Sequence, residues 1–336
     1  MVPLSVLDLS PIIAGSSGGE ALRNSIDLAK LTDRLGFMRY WVAEHHNLAS
    51  VASTAPEIMI GQIAAATTRM RVGAGGVMLS NHAPLMVAER FKVLEALFPG
   101  RIDLGLGRAP GTDPVTSYAL RRRSAGDAAN DFLERFQELI LLERRGFPDN
   151  HPFHAVHAMP NDVALPPIWL LGSSDYSAQL AAMVGFGFSF AHHFSDHDPL
   201  SPMLSYRAAF KASATLDRAY AILACAVVCA DTDAEAERLA ATLDLNWVLR
   251  ARGERRPLVS PEEALAYPYS PADRERIEHR RARLFVGAPD TVLKHLEPLI
   301  EATKADEVMV TTMIYDHAAR RRSYELLARA FSLAAA

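Results

Sequence analysis

Cysteine is scarce. The 336-residue chain has two, Cys225 and Cys229, both inside the apolar run Ala219–Ala230. Four residues apart on a strand, they share a face but stand too far apart to bridge. That excludes a disulfide framework and leaves buried thiols as the expectation, with nothing to suggest an oxidising compartment. No apolar run approaches the length of a membrane span, so no membrane partner is expected. Met1–Leu4 opens without the basic region and apolar core of a secretory signal, and a cytoplasmic location is expected. Positive charge is not in excess either. Lys and Arg number 35 against 39 Asp and Glu, a net charge of -4, which gives no broad attraction to nucleic acid. Two basic clusters, Arg121-Arg122-Arg123 and Arg320-Arg321-Arg322, lie in polar, helix-like stretches and read as solvated or ion-paired faces. There is no long linker and no internal repeat.

What is present is an alternation of short apolar runs with longer amphipathic ones, the βαβα pattern of a parallel sheet buried on both faces. The strands predicted are Leu4–Leu9, Arg39–Ala43, Arg71–Leu79, Ile102–Leu106, Ile168–Leu171, Gly187–Ala191, Tyr220–Cys229 and Glu307–Thr312. Helices are expected between them, the one after strand seven running from about Asp233 to Arg250. Eight such units in a row favour one closed (β/α)8 TIM barrel, an α/β fold spanning residues 1–336, over an open doubly wound sheet. Three stretches interrupt the pattern: Arg108–Gly126, the Pro/His/Asn-rich Gly146–Pro166, and the charged Ala251–Arg283, a lid or a surface excursion. Loop insertions are expected at the carboxyl-terminal face.

In such barrels the chemistry sits where strands end. Glu44-His45-His46 follows strand two, Asn81-His82 strand three, Gly107-Arg108 strand four, Gly172-Ser173-Ser174-Asp175 strand five and His192-His193 strand six. Imidazoles gathered at one end suit proton transfer near neutral pH. A metal site built from these histidines and Glu44 is the rival, but each pair is adjacent, and neighbours on a strand face opposite ways. Gly172–Ser177 joins a strand to a helix start and is either an anion site or an ordinary N-cap through Ser174 or Asp175. Gly73, Gly75 and Gly76 lie within a strand, where they mark either a bulge or the close approach of a flat ligand. Arg108 is either an anion clamp or the ion-pair partner of Asp103 or Asp113.

Five segments, in this order, resemble the bacterial-luciferase-like flavin monooxygenases of the non-luminescent bacterial branch. They are Trp41-Val42-Ala43-Glu44-His45-His46, Val72–Leu79, Gly100–Arg108, Ser173–Ser177 and Val286-Gly287-Ala288-Pro289-Asp290. The resemblance covers nearly the whole chain. It implies a (β/α)8 barrel that takes reduced FMN from a separate flavin reductase and, with molecular oxygen, oxidises a small organic substrate through a peroxyflavin. It implies that His45 is catalytic and that Gly75-Gly76 is a non-proline cis peptide against the flavin ring. Arg108 would lie near the flavin phosphate, in a loop made by Gly172, Ser173, Ser174 and Ser177. Gly107 stands where luciferase carries a reactive cysteine, which speaks against light emission, and Ser173 replaces an acidic residue. Family members are often dimers, so a homodimer is expected. A deazaflavin-dependent dehydrogenase on the same barrel and a non-catalytic flavin-binding protein are the alternatives.

Overall fold

The computed structural model describes residues 1–109, 111–121 and 125–334; Arg122 and Arg123 of the first basic cluster lie outside the described residues. Nine parallel strands form one sheet: β1 (Leu4–Asp8), β2 (Arg39–Val42), β3 (Arg71–Met78), β4 (Ile102–Gly107), β5 (Ile168–Gly172), β6 (Gly187–Ala191), β7 (Ala221–Cys229), β8 (Leu284–Gly287) and β9 (Glu307–Thr311). β1 through β7 pair in sequence, β7 pairs with β9 and β9 with β1, which closes an eight-stranded barrel. The strands read as continuous apolar runs because both faces are covered: Leu4–Asp8 and Glu307–Thr311 are buried throughout.

The two faces have separate fillings. Even-numbered residues of β1 and β2, such as Val6, Tyr40 and Val42, pack outward under the helices. Leu7, Trp41 and Ala43 point inward and meet Trp169, Ile222, Ala224 and Met309 in the barrel interior. Leu7, Ile222 and Met309, buried there, are each worth about 1.5–3 kcal/mol. At the amino-terminal end Arg39 pairs with Asp103 and Glu307, each at 2.8 Å, and lies 4.8 Å from the Trp169 ring centroid. The paired charges and the edge-to-face rings of Trp41, Trp169 and Tyr220 plug that end, so the carboxyl-terminal mouth is where a ligand can enter.

The wall helices are α1 (Gly18–Arg34), α2 (Pro56–Ala66), α3 (Pro84–Leu97), α5 (Ala125–Arg144), α6 (Asp175–Val184), α7 (Leu200–Ala209), α11 (Pro289–Thr303) and α12 (His317–Ala330). The Arg108–Gly126 stretch contains one more helix, α4 (Pro114–Arg121). Gly146–Pro166 lies between α5 and β5, on the amino-terminal side of the barrel. Among the described residues no helix is long and apolar enough to cross a membrane. Cys225 and Cys229 are free and buried. Arg320 is a buried partner of Asp8 at 2.6 Å, while Arg321 pairs with Asp27 and Arg322 with Asp231, so this cluster is ion-paired.

The segment after β7 departs from the expected order. The helix predicted for Asp233–Arg250 forms, as α8 (Asp233–Ala251), but it is not the wall helix of this unit. That place belongs to α11, which packs between α7 and α12. α8, α9 (Pro261–Leu265), α10 (Pro271–Arg281) and β8 form an insertion carried on the outer half of β7: Ala226–Cys229 pair with β8. The insertion then crosses the mouth. Leu258 pairs with Ile13 in the loop after β1, and Arg255 reaches the Asn47 carbonyl at 3.4 Å and Asp113 at 3.0 Å.

Candidate functional site

The end of β2 sends alternate residues to different tasks. His45 continues the inward series Trp41–Ala43, and its amide donates to the Ser53 carbonyl at 2.9 Å. Its Nδ1 is buried and has no hydrogen-bond partner among the described residues. Burial, and next the charge of Arg250 on α8, hold its pKa at about 4. The imidazole is therefore neutral near pH 7 and has an uncommitted nitrogen to offer a ligand.

Glu44 turns the other way and is fully buried. It accepts from His46 Nε2 at 2.8 Å, His82 Nε2 at 3.0 Å, Asn81 Nδ2 at 3.1 Å and the Met78 amide at 2.8 Å. Burial would raise its pKa, but the bonds from His46 and His82 hold it at about 2. This carboxylate ties the ends of β2 and β3 together. His46 and His82, candidates for chemistry by their position at strand ends, are its donors. His193 continues the inward series Ser189–Ala191 of β6. Its Nδ1 lies 3.2 Å from the Ala224 carbonyl, which puts the proton there and leaves Nε2 as an acceptor. Burial foremost lowers its pKa to about 4, with His45 and His192 adding to the effect. His192 Nδ1 is also buried without a partner among the described residues.

Gly75-Gly76 is a cis peptide. It sits at a break in register between β3 and β4, between Ala74 and Val77. A Cβ on Gly76 would lie 2.4 Å from Leu171 Cδ1, and one on Gly105 would lie 2.1 Å from the Ala74 carbonyl oxygen. The break is an irregularity of the bulge kind at Gly75-Gly76, and the atoms that crowd Gly76 and Gly105 are the barrel's own. Gly107 is buried, and a Cβ there would lie 2.9 Å from Met78 Sδ and Cε. Methionine thus fills the space beside the position at which luciferase carries cysteine.

Arg108 does not pair with Asp103 or Asp113. Asp103 is taken by Arg39, Arg71 and Trp41, and Asp113 by Arg255, Asn47 and Thr116. The exposed Arg108 guanidinium instead lies 4.4 Å from the ring centroid of Tyr176, in the first turn of α6. Ser174 stands at the N-cap of that helix in extended conformation but makes no side-chain capping bond, and Asp175 accepts from Ser201 at 3.3 Å. The side-chain capping alternative for this loop is thus absent. Ser177 packs against Gly172, where a Cβ would lie 2.6 Å from its Oγ. The Ser173 carbonyl accepts from Ser195 at 2.8 Å, fastening the loop to the end of β6. The structure therefore brings Arg108, Gly172, Ser173, Ser174 and Ser177 together. A cation and a hydroxyl without partners among the described residues, and the free amides of a ten-residue helix, suit a phosphate.

Sequence reasoning flagged Ala251–Arg283 as a lid or a surface excursion but took Asp233–Arg250 for a wall helix and did not bring Arg250 forward. An arginine in the last turn of a helix looks like any cation at a helix carboxyl terminus, and no local signal separates it from one.

The sequence profile of the luciferase-like monooxygenases matches residues 3–306. A luciferase-like monooxygenase of Escherichia coli (strain K12) is 42% identical over 325 residues, 97% of this chain and 96% of that one. N-acetyl-S-alkylcysteine monooxygenase of Bacillus subtilis (strain 168) is 34% identical over 331 residues, 98% of each chain. The crystal structure of apo-MsnO8 superposes with a TM-score of 0.90 at 40% identity, covering 100% of both chains. Two more distant structures share the fold alone. They are the oxygenating constituent of 3,6-diketocamphane monooxygenase in complex with FMN (20% identity, TM-score 0.70, 98% of this chain and 97% of that one) and a coenzyme F420-dependent tetrahydromethanopterin reductase of Methanopyrus kandleri (16%, 0.64, 98% and 99%). The chain belongs to the luciferase-like monooxygenase family and is a flavin-dependent monooxygenase.

Proposed function

We propose that the enzyme takes reduced FMN from a separate flavin reductase and, with molecular oxygen, oxidises a small organic substrate at the barrel mouth. The observation that carries this reading is the convergence of two features there: an anion cradle of Arg108, Ser174, Ser177 and the α6 amides, and the neutral, uncommitted imidazole of His45. In this reading Arg108 and the serine loop hold the FMN phosphate, with Gly172 and Ser173 setting the loop's course. The cis Gly75-Gly76 segment and Gly107 line the side facing the flavin ring. When bound, reduced FMN supplies the electrons that activate oxygen. The protein orients and shields: the insertion over the mouth excludes water, and His45 holds a proton or hydrogen bond at the reacting group through its free nitrogen.

A homodimer is part of the proposal. Ile58 on α2 and Met86, Val93 and Leu97 on α3 are exposed by 65%, 48%, 47% and 66%, and burying them between two copies would remove that surface from water. Rapid mixing tests the flavin reading. The protein is mixed anaerobically with reduced FMN, oxygen is added, and the flavin spectrum is followed beside a protein-free control. A protein-dependent spectral phase is expected. Oxidation indistinguishable from free FMN rejects the proposal, and reduced deazaflavin is then the cofactor to titrate.

A further inference from the structure

The wall made by β7 and β9 carries a polar group that the fold does not use. Met309 of β9 and Ala224 of β7 belong to the interior cluster, and Thr311 is the next inward residue of β9. Thr312 faces the other way and donates to the Val227 carbonyl at 2.9 Å. Thr311 is 6% exposed, and its Oγ1 is buried with no hydrogen-bond partner among the described residues. A buried hydroxyl without a partner costs free energy that a valine of the same shape does not.

Register and hydrogen bonds place its neighbours. The cross-strand partner of Thr311 is Ala226 of β7. Ala226 is partly exposed, although Cys225 and Val227 beside it are buried. It follows Ala224 in the inward series, so the space that exposes it lies inside the barrel. Ala191, the inward end of β6, is partly exposed as well. His193 rests on the same stretch of β7: its amide and its Nδ1 meet the Ala224 carbonyl at 3.0 and 3.2 Å. Thr311 and His193 thus flank Ala224–Ala226 from β9 and from the end of β6. Rotation about one side-chain bond exchanges the methyl and hydroxyl groups of a threonine and turns Oγ1 toward that space. None of these inward residues carries a full charge near pH 7, since burial keeps His193 neutral. The charged Arg39, Asp103 and Glu307 are spent on one another at the amino-terminal end. A charged group brought beside Thr311 would lose water and gain no counter-charge, whereas an uncharged oxygen would gain the hydroxyl's hydrogen bond.

We infer that the Thr311 hydroxyl positions the substrate, donating a hydrogen bond to an uncharged oxygen-bearing group, a carbonyl or a hydroxyl, that enters the space beside Ala226 and His193. This rests on the proposed function, which lays the flavin ring against Gly75-Gly76 and Gly107, and it deepens that reading by naming a substrate class. β7 and β9 stand opposite β3 and β4 in the ring of eight strands, so their wall faces the substrate across the flavin. The shared chemistry is a neutral acceptor oxygen, and its other source would be a carbonyl of the flavin ring.

The test uses the full chain, with and without FMN, and ligand-observed NMR titration. The probes are cyclohexanone and cyclohexanol, cyclohexene as the counterpart without oxygen and cyclohexanecarboxylate as the charged one, each against wild type, T311V and T311S. Fluorescence titration follows FMN and riboflavin in parallel. At least one of the ketone and the alcohol is expected to bind wild type, more tightly than the carboxylate does. T311V should weaken that probe by about threefold to tenfold, the worth of one hydrogen bond, and T311S should restore it. Cyclohexene and FMN affinities should be the same in all three proteins, and the melting temperature of T311V should be equal to wild type or higher. If neither oxygenated probe binds, if the carboxylate binds as well, or if T311V binds the ketone and the alcohol as wild type does, the inference is wrong. Equal losses for cyclohexene would make Thr311 a matter of shape, and a lower melting temperature with unchanged probes would make it a structural group; both overturn the inference. Weaker FMN and riboflavin in T311V with the probes unaffected gives the hydroxyl to the flavin ring and overturns it as well. FMN that fails to bind wild type, with the probes still discriminated by Thr311, sinks the flavin reading and leaves this site standing.

Discussion

The guanidinium of Arg108 lies over the ring of Tyr176, 4.4 Å from its centroid, and this contact joins the end of β4 to the first turn of α6. It holds a cation beside Ser174 and the α6 amides without neutralising it. Replacing Arg108 by Ala should therefore weaken FMN binding by about tenfold to a hundredfold, the worth of one or two charge-assisted hydrogen bonds. Binding of riboflavin, which has no phosphate, should be unchanged. Fluorescence titration with both ligands checks this; equal losses for the two would mean that Arg108 does not meet the phosphate.

His45 offers a free nitrogen rather than a structural bond, so H45A should spare binding and remove chemistry. The variant is expected to keep wild-type FMN affinity and melting temperature and to lose the protein-dependent phase in rapid mixing. With a substrate in hand, turnover should drop by about 10²–10⁴. A variant that oxidises FMN just as wild type does would reduce His45 to a packing residue.

Acid should loosen the fold in a defined window. His45 and His193 are held near pKa 4 against an ordinary value of 6.5, so between these values the unfolded chain binds more protons than the folded one. Their contribution to stability is whole above about pH 6.5, declines as pH falls and is gone below about 4. Urea denaturation at pH 7, 6, 5 and 4 should show that decline, and it should be shallower in the double variant H45Q/H193Q.

Glu44 is fully buried and charged, and its donors come from two strand ends. E44Q removes the charge and sets an NH2 group against N–H donors, while E44A leaves all of them unmet. Losses of about 2–4 kcal/mol are expected, E44A the larger. Chemical denaturation measures both. A change of under about 0.5 kcal/mol in E44A, the size of an ordinary surface substitution, would contradict the role assigned to this carboxylate.

Two glycine substitutions should differ in sign. G105A forces a Cβ to within 2.1 Å of the Ala74 carbonyl oxygen, between strands that cannot part, and should cost about 3 kcal/mol or more. G61A, inside α2, meets only Leu94 at an ordinary 3.6 Å and should stabilise by up to about 1 kcal/mol. Thermal melting of the pair decides whether the crowding of β3 and β4 is as tight as described.

Much of this was legible in the order of residues. A strand buried on both faces has to be a continuous apolar run, so seven of the eight barrel strands show within about a residue of their ends; the eighth, Glu307–Thr311, shows too, but as β9 rather than β8. Because ligands meet barrels where strands end, the same runs brought His45, Arg108 and Ser174 forward as candidates. The inward and outward alternation even separates His45 from Glu44. The sequence left open whether Arg108 was an ion-pair partner and whether Ser174 capped a helix, because both depend on which carboxylates and amides come near.

Only the tertiary structure decided the rest. α8 has the buried stripe of a wall helix, and nothing in its periodicity says that it leaves the wall and crosses the mouth. β8, four residues long, is too short to tell from a loop until the projecting half of β7 gives it a partner. The donors of Glu44 lie up to 38 residues away, and Arg255 reaches the Asn47 carbonyl 208 positions earlier. Local patterns record which face of a segment must leave water. They do not record which distant charge will stand opposite it, since that is set by how the closed barrel folds its ends together.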